Sequence, residues 1–303
     1  MATHHFHPKV FFNSIGAHAP ALRIGDGDTV ITDTLDAHGF DAEGKQPGHN
    51  PNPMSGPFFV EGAEPGDALE VKIDRIDMNR ATGWTRSGLA WHVVDPAEVR
   101  NMPVRDKIIW NIDRNDQKIS LQDAPTALKN WSTPLDPMIG CLGVAPDEAQ
   151  FISTATSGPF GGNMDYNRIK AGTTMYFPVA ETGALFFLGD VHGAQGDGEI
   201  AGTGIETSAE VQFTVRVIKG RTQSWPRGET DADIFTIGNA RPLEQALQHA
   251  TTEMLNWLEQ EHGLDRSAAS HFLGMAVRYD VANVFNPAFS IACRVAKVAL
   301  KGL

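Results

Sequence analysis

The stretch Gly183-Ala-Leu-Phe-Phe-Leu-Gly-Asp-Val-His-Gly-Ala-Gln-Gly-Asp-Gly-Glu199 passes from an apolar run into a loop rich in glycine and acidic residues. Residues 183–188 predict a buried strand, and residues 210–217, which alternate polar and apolar side chains, predict a half-buried one. Between them, residues 189–206 hold six glycines, four carboxylates, an imidazole and a carboxamide. Because glycine lets a ligand approach the backbone closely, we predict a functional loop held by β-structure.

Length and charge limit the classes of protein to consider. The chain has 303 residues and a formal net charge of -12. That length is enough for one large domain or two closely packed ones. We expect a β-rich domain at 1–220 that carries the site and a C-terminal α/β segment at 221–303 packed on it, with a single domain as the alternative. The negative charge argues against nucleic acid and anionic membranes as partners, because both attract basic patches.

Cysteine content and hydropathy bear on the cellular location. Cys141 and Cys293 are too few and too far apart for a disulfide framework or a metal site, so we expect free, buried thiols. No apolar run reaches the length of a membrane span. The N-terminal residues lack the basic and apolar pattern of a secretory signal. The sequence therefore favours a cytoplasmic protein.

The first two thirds of the chain read as β-structure. Residues 29–33 and 68–76 predict strands that follow Gly-Asp turns. Residues 81–135 look irregular, whereas residues 136–220 return to short strands punctuated by glycine. This part of the chain predicts a sheet-rich architecture.

The last third changes to a helical pattern. Apolar side chains recur at steps of three and four over residues 243–258, which predicts an amphipathic helix with Pro242 in its first turn and Gly263 at its end. Asp265 predicts the N-cap of a second helix that runs to about Val277. A helical pair packed on strands gives a fold class of α+β, predominantly β.

His192 is the centre of the predicted site. Asp190 lies two residues before it, so in an extended chain both side chains would face the same side. A carboxylate and an imidazole on one face are a common start of a divalent metal site. Asp197, Glu199 and Glu206 supply further oxygens nearby. Each alone could be a solvated turn residue, but the cluster as a whole favours function.

Other stretches hold polar residues in constrained chain. Residues 157–165 place two glycines before Asn163 and Asp165, which predicts a tight turn that presents Asp165 inward or an Asx-type turn that caps the backbone. Asp36 follows an apolar strand, and residues 49–57 hold asparagines between prolines. The chain has no G-x-S-x-G, G-x-G-x-x-G or Walker signature. Metal-assisted chemistry therefore fits the surplus of carboxylates better than a serine nucleophile.

Several of these stretches, in order over roughly residues 30–215, resemble the acetamidase/formamidase family. They are Asp33-Thr-Leu-Asp-Ala37, Gly56-Pro-Phe-Phe-Val-Glu-Gly-Ala-Glu-Pro-Gly-Asp67, Gly143-Val-Ala-Pro146, Gly161-Gly-Asn-Met-Asp165, Ala171-Gly-Thr-Thr-Met-Tyr-Phe-Pro-Val179, Gly189-Asp-Val-His-Gly-Ala-Gln-Gly-Asp-Gly-Glu199 and Thr203-Gly-Ile-Glu206. Many members carry a Gly-Gly-Gln run after the Asp-Ala pair. Here a longer polar loop over residues 38–48 replaces that run. The identity of the substrate therefore stays open from the sequence.

The resemblance implies both a fold and an activity. The fold is a jelly-roll-like β-sandwich with an α+β part. The activity is hydrolysis of a short aliphatic amide, such as formamide or acetamide, to a carboxylate and ammonia, with a bound divalent cation, zinc or calcium. It also implies a homo-oligomer, a dimer or higher, which the exposed edges of a β-rich chain favour.

Amide hydrolysis needs an activated water, a polarised carbonyl and a proton for the leaving nitrogen. Together with the resemblance, these needs give eight residues a role. The expected metal or water ligands are Asp36, Asp165, Asp190 and His192. The expected general base is Glu199 or Glu206, and the expected donors to the carbonyl or developing oxyanion are Gln195 and Asn163.

Two alternatives stay open from the sequence. One is a hydrolase or lyase for a larger or cyclic amide on the same scaffold, since the loop over residues 38–48 departs from the family pattern. The other is a non-enzymatic metal-binding β-sandwich in which the acidic loop only joins strands. Ammonia release from a panel of amides would separate the enzymes, and metal content without turnover would favour the binding protein.

Overall fold

The computed structural model describes all of residues 1–303. The strands are β1 (Thr3–Phe6), β2 (Ser14–Gly16), β3 (Leu22–Ile24), β4 (Thr29–Asp33), β5 (Ser55–Val60), β6 (Ala68–Met78), β7 (Thr82–Arg86), β8 (Lys107–Asp113), β9 (Lys118–Leu121), β10 (Thr133–Pro134), β11 (Met138–Gly143), β12 (Phe151–Ser153), β13 (Ser157–Gly158), β14 (Gly161–Asn163), β15 (Thr174–Pro178), β16 (Phe186–His192), β17 (Glu206–Thr207), β18 (Ala209–Ile218), β19 (Arg227–Glu229), β20 (Asp233–Ala240), β21 (Arg278–Asn283) and β22 (Phe289–Ala296). The α-helices are α1 (Leu243–His262), α2 (Arg266–Ala276) and α3 (Lys297–Leu300). None of these helices has both the length and the apolar composition that a membrane crossing would need.

Two large sheets contain most of the strands. The first has nine strands in the order β1-β4-β18-β6-β15-β19-β20-β22-β21. The second follows the order β10-β9-β8-β7-β17-β16-β11-β14-β13, with β5 beside β16 and β3 beside β5. Strands β2 and β12 form a separate antiparallel pair. The fold therefore belongs to the β-rich α+β class that the sequence predicts.

The two large sheets pack face to face around aromatic side chains. Phe213 on β18 of the first sheet contacts Phe58 on β5 and Phe186 on β16 of the second, with ring centroids 5.2 Å apart in both pairs. All three rings are fully buried. Burial of one such side chain stabilises the fold by about 1.5–3 kcal/mol. This core fixes the position of β16, the strand that ends in Asp190-Val-His192.

The helices α1 and α2 cover part of the nine-stranded sheet with a second apolar core. Helix α1 packs through Trp257 and Leu258, and it ends at Gly263, whose left-handed φ of 65° lets its N–H bond the Leu258 carbonyl. Asp265 caps α2 by accepting a hydrogen bond of 2.8 Å from the Ala268 N–H. Both helices are confirmed, because periodicity and capping are local properties of the sequence.

The nine-stranded sheet crosses the boundary expected at residue 220. Strand β15, from the first expected domain, pairs with β19, from the second, and β19 pairs with β20. Residues 221–303 thus extend a sheet that the preceding residues begin.

Two expectations about the strands need correction. Residues 81–135 are not irregular, because β7, β8 and β9 form an antiparallel meander within them. The loop predicted to begin at Gly189 begins only after His192, since β16 continues that far. Gly189 serves close packing and not a turn, because a Cβ atom there would lie 3.1 Å from Met54 Sδ and 3.2 Å from the Pro53 carbonyl.

Candidate active site

Strand β16 carries two residues at the centre of the site, Asp190 and His192. Its neighbours hold it on both sides, with Met138 of β11 and Glu206 of β17 each opposite His192. Asp165 follows β14, which pairs with β11 in the same sheet. All four polar side chains are buried. The sheet therefore brings polar residues from three separate segments to one place in the interior.

The imidazole of His192 joins the acidic residues into one cluster. Its Nε2 atom lies 3.2 Å from Glu206 Oε1 and 3.5 Å from Asp190 Oδ1. His192, Asp165 and Asp190 form one group whose potential ligand atoms lie within 4.8 Å of one another, and His192, Glu199 and Glu206 form another. We call these five residues the buried cluster.

Hydrogen bonds fix the orientation of the His192 ring. Gln195 donates from Nε2 to the main-chain carbonyl of Asp165 at 2.6 Å, so its Oε1 atom faces His192 Nδ1 at 2.8 Å and accepts. Nδ1 therefore donates to Gln195, and Nε2 is the ring atom that faces the carboxylates. A histidine held in this way by its second nitrogen is typical of a metal ligand.

Four buried polar atoms of the cluster have no hydrogen-bond partner. They are Asp165 Oδ1, Asp190 Oδ1, His192 Nε2 and Glu206 Oε2. An unpaired buried polar atom costs about 1–3 kcal/mol, so several in one place call for a partner. An imidazole nitrogen and carboxylate oxygens are donors that a divalent cation such as zinc accepts. The residues present therefore fit a metal ion.

Burial and mutual repulsion shift the protonation of the cluster. Burial raises the pKa of Asp165, Glu199 and Glu206, and neighbouring carboxylates raise it further, although the His192 imidazole opposes the increase. Burial lowers the pKa of His192, but Glu206 and Asp190 raise it by more, and the net pKa lies well above the usual value. Positive charge, from bound protons or from a bound cation, is therefore needed to stabilise the buried carboxylates of the cluster.

Three asparagines hold the aspartates of the cluster in place. Asn52 donates from Nδ2 to Asp190 Oδ2 at 2.8 Å. Asn286 and Asn283 donate from their Nδ2 atoms to Asp165 Oδ2 at 2.6 Å and 3.0 Å. These bonds occupy one oxygen of each aspartate and leave the other oxygen for a further partner.

Backbone strain is concentrated at the site. Nine residues other than glycine have a positive φ, and four of them lie here, namely Asn52 (34°), Asp165 (45°), Asp190 (56°) and Glu199 (46°). Such a backbone conformation costs about 1–3 kcal/mol per residue and persists where the surrounding structure enforces it. Strain of this kind is typical of functional sites.

A cavity of about 240 Å³ opens onto the buried cluster. Asp190, Glu199, Glu206 and Asn163 line it, together with Trp84. This volume lies below the range of about 300–1,000 Å³ that is usual for drug-sized ligands. The cavity therefore suits a molecule of few atoms.

Comparisons with known proteins match this architecture. The model of the Acetamidase/Formamidase family matches residues 152–279. The solved acetamidase from Yersinia enterocolitica has a TM-score of 0.85 and 30% identity, with coverage of 98% of this chain and 93% of that chain. The solved acetamidase from Bacillus halodurans has a TM-score of 0.83 and 30% identity, with coverage of 99% and 100%. The chain belongs to the acetamidase/formamidase family.

A curated relative in this family is the acetamidase from Mycolicibacterium smegmatis. It is 29% identical over 245 residues, which make up 63% of this chain and 59% of that protein. The formamidase from Methylophilus methylotrophus is 24% identical over 269 residues, which make up 75% of this chain and 63% of that protein. The chain thus spans less than two thirds of the length of these curated relatives.

The structure brings together most of the residues that the family resemblance singled out. The buried cluster contains Asp165, Asp190 and His192, which were expected as ligands, and Glu199 and Glu206, which were expected as bases. Asn163 lines the adjoining cavity. Since Glu206 lies beside His192 and has an unpartnered oxygen, it is available as a ligand as well as a base.

Two of the eight residues already have partners within the protein. Asp36 is buried, but its Oδ2 atom accepts from Arg80 Nη1 at 2.9 Å and from Trp84 Nε1 at 3.1 Å, and its Oδ1 atom accepts from two backbone N–H groups. Its carboxylate is already paired and lies outside the groups that could hold a metal. Gln195 uses both ends of its amide to hold His192 and the Asp165 backbone.

The sequence pointed to only one of the three asparagines that support the cluster. Asn52 lies in the proline-rich stretch 49–57 that the sequence marked as rigid. Asn283 and Asn286 were missed, although the segment Asn283-Val-Phe-Asn286-Pro, at the end of a strand, carries a turn signal. Their connection to Asp165 spans more than a hundred residues and leaves no local pattern.

Proposed function

We propose that the chain hydrolyses a short aliphatic amide, such as formamide or acetamide, to a carboxylate and ammonia with a metal-activated water. The observation that carries this proposal is the set of four unpartnered polar atoms gathered beside a small cavity. Relatives named acetamidase and formamidase support an amide as the substrate. The cavity volume of about 240 Å³ favours a short acyl group.

Asp165, Asp190, His192 and Glu206 are the residues that would hold the cation. A divalent metal bound there supplies a Lewis acid for the carbonyl and lowers the pKa of a water molecule. The imidazole favours zinc over calcium, because calcium takes oxygen ligands. Asn52 and Gln195 fix the orientation of Asp190 and His192 and so keep the ligand atoms converging.

Glu199 is placed to move protons between water and amide. It lines the cavity, and none of its oxygens is among the unpartnered atoms of the cluster. In the proposed reaction the water oxygen bonds to the amide carbon, Glu199 takes the water proton and delivers it to the nitrogen, and the C–N bond breaks. Ammonia and the carboxylate are the products.

Asn163 is placed to stabilise the developing oxyanion. Its Oδ1 atom accepts from Asn52 Nδ2 at 3.1 Å, and its backbone carbonyl accepts from Asn286 Nδ2 at 3.0 Å. These bonds hold the side chain and leave its Nδ2 group to donate to the carbonyl oxygen of the substrate. A fixed donor of this kind stabilises charge that appears only in the transition state.

The test of the proposal is ammonia release from formamide, acetamide and propionamide. The protein is dialysed against a chelator and then given zinc, calcium or no metal. We expect turnover only with metal, and we expect zinc at a thousand times its Kd to raise the free energy of unfolding by about 4 kcal/mol. Full turnover without metal would move catalysis to a side-chain nucleophile. Bound metal without turnover on any amide would favour the non-enzymatic binding protein.

Gly204 provides a second test, because a Cβ atom at this position would overlap the His192 imidazole. We expect Gly204→Ala to displace the ring and to lower kcat/KM about 100-fold, since a small misplacement of a reacting group has effects of this size. The matched control is Gly196→Ala in the same loop, where nothing lies within 4 Å of the added atom. Equal activities of the two variants would contradict the role given to His192.

The cellular location of the protein and its number of subunits stay predictions. We propose a cytoplasmic protein that forms a homo-oligomer, a dimer or higher. Strands β1 and β21 lie at the edges of the nine-stranded sheet, and sheet edges favour association. Light scattering after size-exclusion chromatography would measure the number of subunits.

A further inference from the structure

The cavity of the buried cluster also has a basic rim. We define the basic rim as Arg86, Arg105, Lys107 and His38. Arg86, Arg105 and His38 line the cavity, and Lys107 lies opposite Arg86 in the pairing of β7 with β8. This concentration of basic side chains occurs in a chain whose net charge is -12.

Neither arginine of the rim is paired with a carboxylate. The Arg86 guanidinium lies 5.8 Å from the centre of the Trp84 ring. The Arg105 guanidinium lies 5.1 Å from the centre of the Phe285 ring and donates to the Ala201 carbonyl. Both side chains are half-buried. Because a partly desolvated cation without a counterion is unfavourable, these two arginines call for an anion.

Two facing basic residues of β7 and β8 also favour a bound anion. Arg86 and Lys107 are direct cross-strand partners, and like charges in such positions destabilise a sheet. An anion bound at the rim would convert this repulsion into attraction. The arrangement therefore favours a negatively charged ligand over a neutral one.

The arginines of the rim form no ion pair with the acids of the buried cluster. The ion pairs of Asp190 and Glu206 run to His192 alone. Asp36 shows the contrast, because its carboxylate has Arg80 at 2.9 Å. The chain thus supplies an arginine where a buried carboxylate needs one, and it leaves Arg86 and Arg105 for another partner.

Strand β7 sets the distance between rim and cluster. Glu206 on β17 pairs with Trp84 on β7. Arg86 lies two residues further along and on the same face as Trp84, which is about 7 Å along the strand. An extended chain of three or four carbons, together with a hydrogen bond of about 2.8 Å at its end, spans this distance.

We infer that the preferred substrate is a short amide whose acyl chain ends in a carboxylate, such as the monoamide of malonic or succinic acid. This inference rests on the proposed amide hydrolysis. The amide group lies at the buried cluster, and the carboxylate lies at Arg86 and Arg105, because a guanidinium binds a planar carboxylate through two parallel hydrogen bonds. Water adds to the amide carbon, the C–N bond breaks and the nitrogen takes a proton, so the products are a dicarboxylate and ammonia.

The experiment compares two substrates that differ only in charge. Succinamate and succinamide have the same length, but one ends in a carboxylate and the other in a neutral amide. Ammonia release is measured with the metal-loaded wild-type protein and with the variants Arg86→Gln, Arg105→Gln and Arg216→Gln. Arg216 is an exposed arginine on β18 and serves as the matched control. Circular dichroism verifies that each variant is folded.

We expect the wild-type protein to prefer succinamate at least tenfold in kcat/KM. We expect Arg86→Gln and Arg105→Gln each to lower this preference by about 10- to 100-fold, which is the usual effect of losing one charge-assisted hydrogen-bond pair. Arg216→Gln is expected to keep it. Equal or faster turnover of succinamide by the wild-type protein, or an unchanged preference in both rim variants, overturns the inference and leaves the amidase proposal standing.

Calorimetry with succinate separates the inference from the proposed function. If no amide is hydrolysed, the amidase proposal fails, and succinate binding that weakens in the Arg86→Gln and Arg105→Gln variants still supports an anion site at the rim. Succinate that binds the wild-type protein and both variants equally, or binds none of them, overturns the anion site.

Discussion

Replacing His192 with alanine is expected to lower kcat/KM for the amide about 1,000-fold or more and to remove the bound metal. The imidazole is the one residue shared by both potential ligand groups, so its loss breaks the connection between them. A 1,000-fold loss corresponds to about 4 kcal/mol of transition-state stabilisation. Ammonia release gives the rate, and elemental analysis gives the metal content of the purified variant.

The control for this variant is His271→Ala. His271 lies exposed on α2, away from the buried cluster, so its replacement is expected to change neither metal content nor rate. A folded His192→Ala protein that keeps both metal and turnover would overturn the proposed site. Loss of turnover with full retention of metal would make His192 a general base and move the ligand role to the four carboxylates.

Replacing Arg227 with methionine is expected to lower the free energy of unfolding by about 3–5 kcal/mol. Arg227 on β19 and Glu253 on α1 are both fully buried, and Arg227 Nε donates to Glu253 Oε1 at 2.7 Å. A second bond of 2.8 Å joins Arg227 Nη2 to Gln260 Oε1. Without the guanidinium, the Glu253 carboxylate remains in the core with no counterion, and this accounts for the loss.

Urea unfolding of three variants measures this effect. The double variant Arg227→Met with Glu253→Met is expected to recover most of the lost stability, because it removes both charges and keeps the volume. Lys118→Met, which breaks an exposed pair with Asp116, is expected to cost less than about 1 kcal/mol. A cost for Arg227→Met as small as that of Lys118→Met would show that the buried pair does not hold α1 to the sheet.

The sequence predicts those parts of the fold that depend on neighbouring residues. The strand Thr29–Asp33 and the two helices follow from periodicity and capping, which act over a few residues. The meander within residues 81–135 was missed, because β8 and β9 are largely exposed and the apolar run Ile108-Ile-Trp110 hides the alternating burial of β8. Gly189 was misread as the start of a loop, since the packing against Met54 that explains the glycine is a contact between distant residues.

Contacts between distant residues also limited the prediction of the candidate active site. Asp190 and His192 were paired through their spacing of two residues, and their side chains do lie 3.5 Å apart, although the positive φ of Asp190 interrupts the regular strand. The pairing of Asp36 with Arg80 and Trp84 could not be predicted, because these partners are more than forty residues away. A carboxylate in a sequence carries no sign of whether the fold will pair it with an arginine or leave it for a ligand.

The two asparagines at the end of β21 and just after it have a consequence for biosynthesis. Asp165 receives its hydrogen bonds from Asn283 and Asn286, which are translated more than a hundred residues later. A nascent chain that has passed β17 already contains every acidic residue of the cluster, but it lacks the groups that hold Asp165 in position. The ribosome must therefore pass residue 286 before this pocket can mature, and a chain stalled earlier would expose its acidic residues unsupported.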